Sequence, residues 1–216
     1  MEMKIARVNL TESTIEIFSA EDELLRKYLG GSGLGTYYLF KYGSPKCAAL
    51  SPENPLLFMN GPFQGTGIPT SGRHQVLAKS PLTDMFGESD CGGAFGYHMR
   101  KAGFDGIILL GKAPSPVYIA LLDGKIEIRS ASSLWGKDTF ETEEFLLELE
   151  GKPAGVACIG PAGENQVLLA NIMHDGRNAR AAGRGGMGAV MGSKNLKAIV
   201  ARGSAKVLMA DEKAVR

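Results

Sequence analysis

No CxxC pair occurs anywhere in the 216 residues, and the three cysteines, Cys47, Cys91 and Cys158, stand far apart. An odd, scattered set argues against a disulfide framework. It also leaves the chain without an evident cysteine site for zinc or an iron–sulfur cluster. His74, His98 and His174 are equally dispersed and read as surface or packed residues rather than ligands. No apolar run approaches the roughly 18 residues that span a bilayer. The opening MEMKIARVNL has no signal-peptide pattern, so a cytoplasmic location and no membrane partner are expected. Aromatic side chains stop at Phe145. A nucleic-acid surface built on base stacking would need them interleaved with the later cations, so no nucleic-acid partner is expected.

Acidic residues are missing between Gly176 and Ala210, a stretch holding seven Lys and Arg. The whole chain is formally only +1, so this is a local field, balanced by the acidic segment Asp138–Glu150. Within it, RNARAAGRGGMGAVMGSKNLK (Arg177–Lys197) mixes cations with Gly183, Gly185, Gly186, Gly188 and Gly192. Glycine lets a backbone approach a ligand closely, and guanidinium forks match phosphate oxygens. The combination points to a ligand carrying phosphate. If the segment is helical, Arg177, Arg180 and Arg184 share one face.

A hydrophobic share of 44% supports a buried core. Alternation predicts strands at 4–10, 14–18, 56–60, 74–79, 106–110, 117–122, 125–129, 156–159, 166–173 and 197–201. Asp123-Gly124 marks a hairpin. Helices are expected at 19–29, with Ser19 as N-cap, and at 34–41, 94–102 and 139–149. The last should bury a face around Phe140, Phe145, Leu146 and Leu149. Residues 61–72 and 81–93 read as Gly/Pro-rich loops. Short strands joined by hairpins, with few helices and no evident internal repeat, indicate an α+β fold with antiparallel sheets.

Gly183, Gly185 and Gly188 fit GxGxxG, but the strand expected before them ends near Met173, and no acidic residue follows until Asp211. A dinucleotide fold is therefore not expected. GMGAVMGSKN fails the P-loop spacing. Arg73 leaves one Gly-rich loop and is followed by a second, ESDCGGAFG, which suits a second wall of the same site. Cys91 invites a nucleophile reading. With Asp90 beside it and no base in a visible motif, a small semi-buried thiol is expected instead.

Six segments carry a resemblance: LSPENPLLF from Leu50, PTSGRHQVLAKSPLT from Pro69, KAGFDGIILLGKA from Lys101, WGKDTFETE from Trp135, IGPAGEN from Ile159 and RAAGRGGMGAVMGSKNLKAI from Arg180. Together they resemble the N-terminal domain of the aldehyde ferredoxin oxidoreductase family, from about Ile5 to Ala205. The resemblance implies an α+β domain of two antiparallel β-sheets forming a saddle. It implies a tungstopterin of two pterins around tungsten or molybdenum, with magnesium bridging the phosphates. Arg73, Asp90, Gly92, Arg180, Ala181, Gly183 and Arg184 are the implied cofactor contacts. Asp90 falls where family members can carry Asn. An ionised carboxylate cannot donate as an amide does, so either its partner changes there or it binds differently.

The resemblance makes residues 1–205 the cofactor-binding domain and 206–216 the start of a linker. The metal would be held by cofactor sulfurs. The ligands of a [4Fe–4S] cluster and the substrate channel would lie in later domains, so these residues alone should be inactive. The implied reaction is oxidation of aldehydes to carboxylic acids, with ferredoxin as electron acceptor. Oligomeric state is left open, a homo-oligomer included. The alternative is a non-catalytic module binding a phosphorylated metabolite or nucleotide through the same loops.

Overall fold

The computed structural model describes residues 2–209 and 211–215. Its elements follow in the order β1 (Lys4–Asn9), β2 (Thr14–Ser19), α1 (Asp22–Tyr28), α2 (Gly31–Tyr42), β3 (Leu56–Asn60), β4 (His74–Lys79), β5 (Phe86–Cys91), α3 (Phe95–Lys101) and β6 (Gly106–Leu110). Then come β7 (Val117–Leu122), β8 (Lys125–Ser130), α4 (Thr139–Glu150), β9 (Gly155–Cys158), α5 (Pro161–Glu164), β10 (Ile172–His174), β11 (Arg180–Ala182), α6 (Met187–Ser193), β12 (Leu196–Arg202) and α7 (Glu212–Val215). A 3-10 turn at Gly176–Asn178 separates β10 from β11. None of the described helices is long and apolar enough to cross a membrane.

The strands build two six-stranded sheets, ordered β2-β1-β6-β3-β4-β5 and β11-β10-β9-β12-β7-β8. Most pairs are antiparallel. β1 with β6 and β7 with β12 are parallel, because β6 and β12 each return through a helix rather than a hairpin. Each sheet is thus mixed, where the short hairpin-joined strands and the resemblance led to an expectation of antiparallel sheets.

Reversed, the second order becomes β8-β7-β12-β9-β10-β11, the first order advanced by six. The chain is a duplicated unit, contrary to the sequence reading of no repeat. The registers agree pair by pair. Met59 opposite Gln75 and Gly106 matches Cys158 opposite Met173 and Ala198. Gln75 opposite Asp90 matches Met173 opposite Ala181. A trace survives in sequence: Phe95, Gly96, Met99, Ile107 and Gly111 recur at one constant spacing as Met187, Gly188, Met191, Ile199 and Gly203.

Period-2 alternation sends each sheet's side chains to two layers. Val8, Phe58, Val76 and Ile107 of the first sheet meet Ile119, Leu121, Ala157 and Ile199 of the second in the central core. Ile5, Leu57, Met59, Leu77 and Ile108 face the other way, against Leu25, Leu34, Tyr38 and Leu39 of α1 and α2. Tyr118, Ala120, Val156, Cys158, Ala198 and Val200 pack on Leu146 of α4. The crossover helices complete the central layer. α3 touches β9 and β12 of the second sheet, and α6 touches β3 and β4 of the first.

Several elements differ from expectation for identifiable reasons. Residues 86–91 form β5, not loop. Their Gly, Ser and Asp content hides a strand that pairs β4 over six rungs. Of 166–173 only the last two residues enter a strand, and Leu168 and Leu169 are exposed. α1 starts at Asp22 without a side-chain cap, Ser19 being the last residue of β2. α4 takes its phase from a capping box. Asp138 accepts from the Glu141 N–H (2.8 Å) and Glu141 accepts from the Asp138 N–H (3.2 Å). Thr142, Leu146 and Glu150 then face the sheet, leaving Phe140, Phe145 and Leu149 exposed. Buried Glu150 is answered by the Tyr118 hydroxyl (2.7 Å) and Arg129 Nη1 (2.5 and 2.7 Å).

Candidate functional site

The outer strands β5 and β11, one from each sheet, come together along a seam. All seven residues that the resemblance singles out lie on or beside it. Arg73 precedes β4. Asp90 is in β5 and Gly92 directly follows it. Arg180 and Ala181 are in β11, and Gly183 and Arg184 follow that strand. The duplication pairs them. His74 opposite Cys91 is the end rung of one hairpin, and Ile172 opposite Ala182 that of the other. Asp90 and Gly92 therefore occupy the places that Ala181 and Gly183 hold in the second half.

Local contacts fix the two walls. The Arg184 backbone N–H donates to the Ser89 hydroxyl at 3.0 Å. The Ala94 N–H donates to Asp175 Oδ2 at 2.8 Å. Gly93 sits at φ +91°, and a Cβ there would collide with the Asp175 carboxylate and Arg180 Cγ. Gly176 donates its N–H to Glu143 at 2.5 Å, pinning a turn in which Asp175 and Ala179 also adopt positive φ (62° and 48°). Backbone strain of this kind concentrates where a loop must be held in one shape.

The loop delivering Arg73 is braced from below. The Gln64 amide nitrogen faces the carbonyls of Ser71 (3.0 Å) and Arg73 (3.2 Å), and its oxygen faces the Tyr97 N–H (2.9 Å). Arg100 donates to the carbonyls of Pro62 (2.9 Å) and Gln64 (2.6 Å) and pairs with Asp105 (2.7 Å). Sequence reading missed Gln64, Ser89, Arg100 and Asp175. Gln64 and Ser89 lie within the Gly-rich loops already singled out, yet only the tertiary fold shows what these four residues hold.

Arg73, Arg180 and Arg184 are exposed. Among the described residues none of the three makes an ion pair. Arg177, Arg180 and Arg184 do not share a helix: Arg177 lies in the 3-10 turn, Arg180 in a strand and Arg184 in a loop. Asp90 accepts from Gln75 Nε2 at 3.0 Å. Space is open where Gly72 and Gly92 would carry a Cβ.

The second half of the Gly-rich segment has another job. Side chains at Gly188 and Gly192 would overlap the backbones of Asn171 and Gly163, so these glycines let α6 pack. Lys194 is buried against the carbonyls of Pro52 (3.4 Å) and Gly111 (3.1 Å), and burial pulls its pKa down to about 8. Buried Lys197 pairs with Glu164 and donates to the Lys137 carbonyl (2.7 Å). The same Glu164 accepts from the Gly136 N–H (2.8 and 3.0 Å). Three recognisable segments, WGKD, IGPAGEN and GSKNLK, are thus tied at one carboxylate inside the fold.

Beneath the seam lie His74, Cys91 and His174, all buried. Cys91 Sγ is 3.2 Å from His174 Nδ1, so a histidine does stand beside this thiol in space. Burial pushes the Cys91 pKa up to about 12, Asp175 adding to the effect. A thiol held protonated in the core is not a nucleophile. Burial likewise pulls His74 down to about 4 and His174 well below its ordinary value.

Comparison with known proteins matches residues 5–203 to a family model described as aldehyde ferredoxin oxidoreductase, N-terminal domain. The tungsten-containing aldehyde ferredoxin oxidoreductase of Pyrococcus abyssi (strain GE5 / Orsay) is 51% identical over 97% of this chain and 34% of its own length. The aliphatic sulfonate oxidoreductase, WOR-like subunit, of Pyrococcus furiosus is 39% identical over 93% of this chain and 34% of its own. Among solved structures, the active site complex BamBC of benzoyl coenzyme A reductase with 1,5-dienoyl-CoA superposes with a TM-score of 0.87. That match has 38% identity and covers 95% of this chain and 32% of that one. The chain spans about a third of the length of the curated relatives it matches.

Proposed function

Because the chain belongs to the aldehyde ferredoxin oxidoreductase family, as its N-terminal domain, we propose that the seam between β5 and β11 seats a tungstopterin. The observation that carries this reading is the placement of Arg73, Arg180 and Arg184, exposed and without ion pairs among the described residues, along one glycine-edged seam between the two sheets. The residues suit such a group. Guanidiniums without carboxylate partners are matched to phosphate oxygens. Open space at Gly72 and Gly92 lets a flat heterocycle lie against the backbone. The twofold repetition of the hairpins suits a cofactor with two pterin halves.

Arg73 and Arg180 would hold phosphate or pterin oxygens from opposite walls, with Arg184 beside Arg180. Backbone groups at Gly92, Ala181 and Gly183 would line the seat. Asp90, already held by Gln75, would accept from a pterin N–H, and magnesium would accompany the cofactor's phosphates. When bound, the group supplies a two-electron centre for oxidising an aldehyde to a carboxylic acid with oxygen from water. Residues 1–205 would form the seat and 206–216 lead into a linker. A [4Fe–4S] cluster held elsewhere in the whole protein would pass electrons to ferredoxin. Aldehyde is the substrate class favoured by the 51% match, against 39% for the aliphatic sulfonate oxidoreductase subunit.

Tungsten and pterin content of the full-length protein tests the reading. Arg73→Ala and Arg184→Ala should each lower both several-fold while the protein stays folded by circular dichroism. Full occupancy in both variants would remove the roles assigned to these arginines.

A further inference from the structure

We propose that His74, Cys91 and His174 form a binding site for one thiophilic d10 metal ion, copper(I) in the first place and zinc(II) in the second. The ion would clamp the two sheets together beneath the seam. The ligand atoms of the three side chains lie within 4.8 Å of one another, and all three residues are buried. His74 and Cys91 face each other across one rung of β4 and β5. His174 comes from β10 of the other sheet, on the rung opposite Arg180. Nitrogen and sulfur ligands of one such ion stand roughly 3.5 Å apart at ordinary bond lengths. Cys91 Sγ and His174 Nδ1 already stand at 3.2 Å, and no separation among the ligand atoms exceeds 4.8 Å.

A thiol–imidazole hydrogen bond does not account for the rest of the cluster. Both ring nitrogens of His74 and Nε2 of His174 are buried without a hydrogen-bond partner. The His174 ring lies near the carbonyls of Ile172 and Arg180 without a well-formed bond to either. Phe58 and Phe95 close the sides of the His74 ring. Unpartnered imidazole nitrogens converging with a thiol in a dry core are a soft donor set, the kind that selects copper(I) and zinc.

Charge and coordination number favour copper(I). On binding, the Cys91 thiol gives its proton to solvent and its sulfur becomes the ligand, so copper(I), one thiolate and two neutral imidazoles sum to zero. Zinc would leave one positive charge in the core. Arg73 and Arg180 already act on Cys91 from the seam, offset by Asp175, and Asp90 acts on His74. Three ligands complete a trigonal copper(I) site, whereas structural zinc takes a fourth.

The site is independent of the tungstopterin reading and is tested on metal retention. The full-length protein, reduced and free of oxygen, is loaded separately with copper(I) and zinc(II), desalted, and assayed by mass spectrometry and X-ray absorption at the metal edge. One retained ion per chain with a first shell of one sulfur and two nitrogens is expected, together with a higher melting temperature. Cys91→Ser and His174→Asn should each cut retention at least tenfold, and His98→Asn, outside the cluster, should not. Retention below about a tenth of an equivalent for both ions would overturn the site, as would a shell lacking sulfur plus nitrogen or undiminished retention in Cys91→Ser. The absorption measurement uses unmutated protein, so a misfolded variant does not leave the question open.

Discussion

Arg184 of the second half and Ser89 of the first are joined by a 3.0 Å hydrogen bond from backbone N–H to hydroxyl. Ser89 is buried in β5, so this bond ties the loop after β11 to the opposite sheet and sets where the Arg184 guanidinium begins. Ser89→Ala should cost about 1 kcal/mol and lower tungsten content more than that loss of stability explains. Urea denaturation and metal analysis of the full-length variant give the two numbers.

Neighbouring glycines should behave differently. Gly92 has open space at its Cβ position, so Gly92→Ala should leave stability within about 0.5 kcal/mol yet reduce cofactor retention. Gly93 has φ +91° and would drive a Cβ into Asp175. Gly93→Ala should cost about 2 kcal/mol or more. Thermal melts and tungsten content distinguish steric obstruction of the seat from damage to the fold.

Acid should destabilise the metal-free protein through its core histidines. His74 is buried with its pKa lowered from 6.5 to about 4. The folded state binds fewer protons than the unfolded state between those values, so stability is present above pH 6.5 and is lost as pH falls towards 4. That shift corresponds to about 3 kcal/mol, with His174 acting in the same direction. Asp90 and Asp175 face the cluster, as do Arg73 and Arg180. His74→Phe, which suits the stack with Phe58, should flatten this part of the pH–stability curve measured in urea.

Lys197 should prove structural rather than ligand-binding. Its ammonium pairs with Glu164 in the core. Lys197→Met leaves a buried carboxylate unpaired and should cost about 3–5 kcal/mol. Adding Glu164→Gln should recover part of that loss. Chevron or equilibrium denaturation of the single and double variants measures the coupling.

Much of the fold was legible in sequence where one period dominates. The β7/β8 hairpin around Asp123-Gly124 and the apolar β3 and β6 needed no tertiary information. β5 was not legible, because ESDC earns its strand from pairing with β4 rather than from propensity. The α4 face was misread because the Asp138 cap, not the Phe residues, fixes the helix phase. The duplication escaped notice because only its glycine spacing and a few apolar positions persist. Along the seam, the Gly/Arg signal picked residues from both edges but could not separate outward-facing Arg180 and Arg184 from inward-facing Lys194 and Lys197. Proximity of His174 to Cys91 depends on two sheets meeting and leaves no local trace.

Anomalous X-ray scattering at the tungsten edge, recorded from crystals of the cofactor-loaded full-length protein, tests the seat most directly. The expected peak lies over the β5/β11 seam, with pterin density reaching Arg73, Gly92, Arg180 and Gly183. A tungsten peak elsewhere, for instance over the apolar groove of Leu39, Phe40, Pro55, Met85 and Phe86, with the seam bare, would contradict it.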